Sequence, residues 1–388
     1  MSAVAERVRI RDRRDASEVL ARASAERRAV RVRGAGSKDY LGELRPTDLV
    51  LETADLCGVV AHVPADLTIT VAAGTPLAEV QAALAREGQT LPLDPPHGDV
   101  ATIGGIVAAN STGFRRARYG GVRDLLIGTT AALADGTLAH AGGRVVKNVA
   151  GYDLNKLFIG SLGTLGVMVE CTFKILPLPP SRGGLRARFR RAADAYAAVE
   201  AIARTPARPA ALVVDGTARD AWQLLVLAEG DAGTVARTLD IAAKAATGAE
   251  SVELDDETDR ALGPLRELPA EADGVLARAS LPPAAQVAFA DAATHLEGFA
   301  RLVADAATGI VRVHVRGDDD DMIAAADGLL ADARVCGGEA RVERRPERLV
   351  TRVGAWGDAD LPGLFLMRRI KEAFDPAGIL EPGRGPVR

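Results

Sequence analysis

The chain has 388 residues, more than one ordinary hydrophobic core holds, so two or three domains are expected. Hydrophobic residues make up 48% and charged residues 26%, the balance of a soluble globular protein, and a net charge of -4 argues against a broad nucleic-acid-binding surface. No apolar run reaches the ~18 residues of a spanning helix. The leading Glu6, Arg7, Arg9 and Arg11 lack the apolar stretch of a signal peptide, so a cytoplasmic protein without a transmembrane segment is expected.

In chain order, Asp48–Glu52 and Leu67–Ala72 are short β-rich runs. Thr75 to Gly88 predicts a helix, with Thr75 as N-cap, Pro76 in the first turn, Leu77, Val80 and Leu84 on one face, and Gly88 closing it. Asp135-Gly136 predicts a two-residue hairpin turn. Val167, Val169, Cys171, Phe173 and Ile175 alternate with Met168, Glu170, Thr172 and Lys174, which predicts a strand with one buried face. Pro177–Pro180, followed by Ser181-Arg182-Gly183-Gly184, reads as a domain boundary.

Beyond it the rhythm changes. Strands are predicted at 185–190, 211–215, 222–228 and 252–254, with helices at 192–204 and 234–246. The order then repeats, with strands at 275–280, 299–303, 310–316 and 340–343 and helices at 284–296 and 322–333. Two tandem βαββαβ units predict an antiparallel sheet with helices on one face. A last helix is expected over 361–374, ended by Asp375-Pro376. The clustered Arg186, Arg188, Arg190 and Arg191 read as a solvated face.

Three glycine-rich segments carry the chemistry. Arg33-Gly34-Ala35-Gly36-Ser37-Lys38 follows the apolar run 29–32 and reads either as a tight turn or as a phosphate cradle. It is neither of the common nucleotide-binding glycine motifs. The run from Pro95 to Gly113 is rich in small residues that permit close approach to a flat ligand. Gly160-Ser161-Leu162-Gly163-Thr164-Leu165-Gly166 reads as tight helix packing or as a ligand contact. Cys57, Cys171 and Cys336 suit a reducing compartment and are too few for an iron–sulfur cluster, which needs about four thiolates.

The segments RGAGSK, DVATIGGIVAANSTG, RYGGVRDLL, ADG and VVKNVAGYDLNKLFIGSLGTLGVM, in this order over residues 30–178, resemble the FAD domain of the vanillyl-alcohol-oxidase superfamily. The closing FDPAGILEPGR, Phe374–Arg384, resembles that family's returning C-terminal segment. VVKNVAGYDL and the length are similar to the FAD-binding subunits of bacterial glycolate oxidases, beside the related D-lactate dehydrogenases. The resemblance implies an α+β protein. A two-part PCMH-type FAD-binding domain would occupy residues 1–180. An antiparallel-sheet cap domain with helices on one face would occupy 181–345, and 346–388 would return to the FAD domain.

It also implies roles. Arg33, Gly34, Ala35, Gly36, Ser37 and Lys38 would bind the FAD pyrophosphate. Pro96, His97, Gly98, Asp99, Val100, Ala101 and Thr102, with Ala109, Asn110, Ser111 and Thr112, would line the pyrophosphate and isoalloxazine. Leu162, Gly163, Thr164, Leu165, Gly166, Val167 and Met168 would bind the adenosine side. Relatives with covalent flavin often place a His near the first loop. This loop ends in Ser37-Lys38 and His97 reads as a turn residue, so noncovalent FAD is expected.

Tyr119, Arg123, Lys147 and Asn148 are candidates near the ring, while Tyr152 and Asp153 fix a turn. Related hydroxy-acid dehydrogenases carry an H-x-G-D-G-N-x-H stretch that binds a divalent metal. The five histidines here are scattered, so no metal is expected, and the catalytic residue stays open between Tyr119 and His314. The Asp318–Asp321 run reads as a helix N-terminus. The implied function is the FAD-binding subunit of a complex that oxidises a 2-hydroxy acid to the 2-oxo acid. A larger FAD-containing catalytic subunit and an iron–sulfur subunit would be its partners, and any membrane association would come through a partner. The alternative is a self-sufficient FAD-dependent 2-hydroxy-acid dehydrogenase of the D-lactate type.

Overall fold

A computed structural model describes residues 5–143, 153–254, 257–356 and 363–387. Lys147, Asn148 and Tyr152 therefore lie outside the described residues. The chain divides into two units. One comprises Met1–Thr112, Gly120–Leu178 and Ala359–Arg388, and the other Gly113–Tyr119 and Pro179–Asp358. A short excursion at 113–119 groups with the second unit.

In the first unit, strands Glu6–Arg9, Leu49–Glu52 and Val30–Arg33 form a parallel sheet. The C-terminal chain extends it, because Val30 donates its N–H to Ile379 O and accepts one from Glu381. Helix Arg13–Ala25, absent from the sequence reading, starts at Asp12, whose side chain accepts from the amides of Arg14 and Asp15.

A second sheet is antiparallel, in the order Val59–Val63, Thr68–Ala72, Val167–Lys174, Leu126–Ala132 and Leu138–Gly142. Helices Leu77–Ala85 and Ile103–Ala109 share a core with it that includes Ile69, Val71, Val80, Leu84, Ile106 and Phe173. Each such fully buried side chain contributes about 1.5–3 kcal/mol by leaving water.

Three local expectations change. Strand Val167–Lys174 is buried on both faces. Its pairing slips between Thr130 and Ala131, so Val169 is an extra residue that switches the alternation. Val167 and Val169 join the core under helix Arg13–Ala25, while Cys171 and Phe173 join the opposite one. Pro76, not Thr75, sits at the cap of its helix. The Thr75 hydroxyl instead donates back to Ala72 O at 2.7 Å. The hairpin loop is longer than two residues, closed by Leu133 N–H to Thr137 O at 2.9 Å, with Gly136 at φ +85°.

In the second unit, an eight-stranded antiparallel sheet among the described residues runs Ser251–Leu254, Ser181–Phe189, Ala221–Gly230, Ala211–Ala218, Phe299–Asp305, Ile310–Val315, Val275–Ser280, Glu339–Arg344. The two βαββαβ repeats are mirrored about the pairing of Ala211–Ala218 with Phe299–Asp305. Helices Ala192–Ala203, Ala232–Ala245, Gln286–Ala293 and Asp319–Val335 cover one face and share its core with Leu224, Val226, Val311 and Val313. Helix Thr258–Glu271 is an addition. Its Leu262 and Leu265 pack on the other face against Val213 and Leu225. No helix among the described residues is long and apolar enough to cross a membrane.

Candidate functional site

The three glycine-rich segments converge in the first unit on one cleft. Arg33 to Lys38 form one wall. Thr102, Gly104, Gly105, Ala108 and Ala109 form the second, and Leu162, Gly163, Gly166 and Met168 the third. Val32, Asp39, Thr53, Ala73 and Arg384 complete the lining.

Close backbone approach explains the composition. A Cβ on Gly34 would lie 2.3 Å from Thr102 Oγ1. Gly163 adopts φ +81°, and its Cβ would meet Glu381 Cγ at 3.3 Å. Backbone bonds tie the second segment to the third. The amides of Gly160 and Leu162 donate to Val107 O and Ala108 O at 3.0 and 2.8 Å. Lys38, buried, ties the first to the second, its Nζ donating to Pro96 O at 2.7 Å. Among the described residues the amides of Gly34, Ala35, Gly36 and Ser37 donate to no protein acceptor, which suits an oxyanion or solvent as partner.

Not every expected residue reaches the cleft. Pro96, His97, Gly98, Asp99, Val100 and Ala101 lie beyond its lining. His97, at φ +56°, turns the chain so that its carbonyl accepts from Val100 and Ala101, and Ala101 is buried in the core. Asn110, at φ +47°, and Ser111, whose amide donates to Ile106 O at 2.9 Å, close the Ile103–Ala109 helix, and Thr112 lies beyond the cleft lining. Leu165 and Val167 are core residues, and the Thr164 hydroxyl donates to Ser161 O.

Thr53, Ala73 and Arg384 are cleft residues that the sequence reading missed. Arg384 donates to Lys38 O at 2.9 Å, Leu41 O at 3.3 Å and Glu381 Oε1 at 3.1 Å. Glu381 Oε1 also accepts from Val32 N at 2.8 Å. Burial pushes the Glu381 carboxyl up, against the pull of Arg384. Behind the third wall, Lys371 Nζ donates to Thr164 O, Leu380 O and Asp375 Oδ2.

The matching of residues 5–142 by the family described as FAD binding domain gives this cleft its context. Residues 5–142 are an FAD binding domain. Among relatives of the chain, the glycolate oxidase subunit GlcE of Escherichia coli (strain K12) is 45% identical over 157 residues, 40% of this chain and 44% of that protein. The glycolate oxidase subunit GlcD of Bacillus subtilis (strain 168) is 35% identical over 198 residues, 50% of this chain and 42% of that protein. These matches span less than half the length of either relative. Among solved structures, p-cresol methylhydroxylase with substrate bound aligns with a TM-score of 0.75 at 16% identity, over 98% of this chain and 88% of that one. The chain therefore has the PCMH-type fold.

The remaining candidates fall elsewhere. Tyr119 belongs to the second unit, where its hydroxyl donates to Glu229 Oε2 at 2.8 Å beside the Arg115–Glu229 pair. Burial pushes its phenol up to about 12. Arg123, in the FAD binding unit, is exposed, its carbonyl accepting from Lys156. His314 is buried on strand Ile310–Val315, and burial holds its imidazole below its ordinary range. Its Nε2 comes within 3.3 Å of Asp273 Oδ1 without hydrogen-bond geometry, and Arg316 takes that carboxylate at 2.6 Å.

Proposed function

We propose that the chain is the FAD-binding subunit of a glycolate-oxidase-like complex, holding FAD noncovalently in the three-walled cleft. The convergence of all three glycine-rich segments on that cleft carries the reading. The residues fit the group. Gly34 to Ser37 offer backbone donors, Lys38 and Arg384 bring positive charge to pyrophosphate oxygens, and Gly104, Gly105 and Ala108 leave room for a planar ring. FAD, when bound, supplies a two-electron acceptor. The chain's own residues bind and orient it. A larger flavin-containing subunit would oxidise the 2-hydroxy acid, and an iron–sulfur subunit would carry electrons onward.

Two expected results test this. The purified protein should be yellow and release intact FAD on acid or heat denaturation. Flavin staying on the denatured chain would overturn noncovalent attachment, and a colourless protein that takes up no FAD would overturn the cleft assignment. Lys38→Ala should lower FAD occupancy several-fold, because it removes both a local cation and the tether to Pro96. Flavin content per folded chain is the measurement.

The isolated, FAD-loaded chain should turn over glycolate and D-lactate poorly with a dye acceptor, and activity should appear on adding the two partner subunits. Turnover by the chain alone at the ~1–10³ per second typical of enzymes would instead favour the self-sufficient dehydrogenase. Arg278, Arg312 and Arg341, paired across neighbouring strands of the second unit's sheet, are the observation in favour of that second reading.

A further inference from the structure

On the face of the second unit's sheet opposite the four covering helices, three arginines stand in one cross-strand row. Arg278 on Val275–Ser280 is directly paired with Arg312 on one side and Arg341 on the other. Like charges placed directly opposite each other destabilise a sheet, so this row needs an account. A slip in pairing makes Glu343 the extra residue of a bulge and places its carboxylate among the three. Glu343 accepts from Arg312 Nε at 2.8 Å and Arg341 Nη2 at 3.1 Å. Surrounding guanidinium groups hold the fully buried Glu343 carboxyl down at about 2, against the opposing effect of burial.

Arg278 is served differently. Its closest carboxylate oxygen, Glu343 Oε1, is 3.6 Å from Nε, and its guanidinium donates no hydrogen bond to any described residue. Its side chain is only 20% exposed. Burial and the neighbouring Arg341, Arg312 and Arg116 push it down to about 9. The neighbouring Arg301 shows what a satisfied pair looks like on this face, with two bonds to Asp215 at 2.7 and 3.0 Å. The Arg341 guanidinium lies over Trp356, 5.6 Å from the ring centroid, and its Nε–H is buried without a partner. A structural ion network would supply a carboxylate to each guanidinium. Here the described residues leave a half-buried, five-donor cation without a hydrogen-bond partner between two others.

We propose that Arg278, flanked by Arg312 and Arg341 and positioned by Glu343, is the centre of an anion site on the second unit that takes the carboxylate of a small organic acid. The planar guanidinium edge matches a carboxylate in two parallel hydrogen bonds. The existence of the anion site stands on this geometry alone. The choice of a carboxylate as its ligand rests on the proposed 2-hydroxy-acid function.

The test is calorimetric titration of the full chain, without partner subunits, with glycolate, acetate and inorganic phosphate in separate arms. It reads binding rather than turnover and needs no flavin chemistry. Saturable binding of glycolate and acetate is expected, weakened about tenfold or more in Arg278→Met and partly kept in Arg278→Lys. Thermal melting keeps structural loss apart from lost binding. The ligand-free Arg278→Met protein should melt at or above the wild-type temperature, because an unbonded buried cation is removed, and carboxylate should raise only the wild-type midpoint. Binding unchanged in Arg278→Met, no saturable binding of any of the three anions, or a lowered midpoint in the ligand-free variant would each overturn the site. Phosphate binding more tightly than both carboxylates would overturn the ligand class. FAD content, measured on the same samples, reports separately on the flavin reading.

Discussion

A Gly163→Val variant should fold yet emerge from purification nearly colourless. Gly163 lines the cleft at φ +81°, where a β-branched residue is strained by about 1–3 kcal/mol. The new side chain would also press on Glu381, the residue that holds both the Val32 amide and Arg384 at the cleft wall. If a comparable energy is lost from binding, FAD affinity falls about tenfold per 1.4 kcal/mol. Gly88→Val is the matched control. Gly88 has φ +64°, so the backbone strain is similar, but its Cβ would meet nothing within 4 Å and it lies outside the cleft lining. Visible flavin absorbance per folded protein should drop in the first variant and persist in the second. Equal flavin content in the two would remove the third segment from the site.

Asp375→Ala should be among the most damaging single changes in the first unit. The side chain is fully buried and accepts from the Ile379 and Leu380 amides at 3.0 and 2.8 Å and from Lys371 Nζ at 2.5 Å. Burial already pushes the Lys371 ammonium below its ordinary range. Deleting the Asp375 carboxylate leaves a buried cation without its counter-ion and two amides without their acceptor, a loss of about 3–5 kcal/mol. For a unit of this size that lowers the melting midpoint by roughly 6–20 °C. Asp375→Asn should fall between, since an amide oxygen still accepts while the charge is gone. Melting followed by circular dichroism reads both, and an unchanged midpoint in Asp375→Ala would refute the argument.

Much of the cleft was legible because its walls are contiguous runs of small residues, and backbone permissiveness leaves a direct trace in composition. Thr53, Ala73 and Arg384 were not, since each is a single residue delivered from a distant segment and carries no local signal. The tandem repeat was readable from the alternation of strands and helices. Helix Thr258–Glu271 was hidden by Pro264 and Pro269, which ordinarily argue against a helix interior. Val169 shows a different limit. Strict period-two alternation assumes an unbroken ladder, and one extra residue reverses every side chain beyond it. The arginine row has the same origin. Each arginine alternates with apolar neighbours along its own strand, and strand order alone brings the three together.

The cleft is divided in time as well as in sequence. Its walls are translated by Met168, but Arg384 follows only after the whole second unit, about 200 residues later. At roughly 5–20 residues per second, the ribosome delivers it on the order of 10–40 s afterwards. Until then Val30 lacks its strand partner at Ile379–Glu381, and the Val32 amide lacks the Glu381 carboxylate. A nascent chain stalled before this point would carry a complete second unit and an unfinished first one, so the cleft wall closes only once Arg384 has been made.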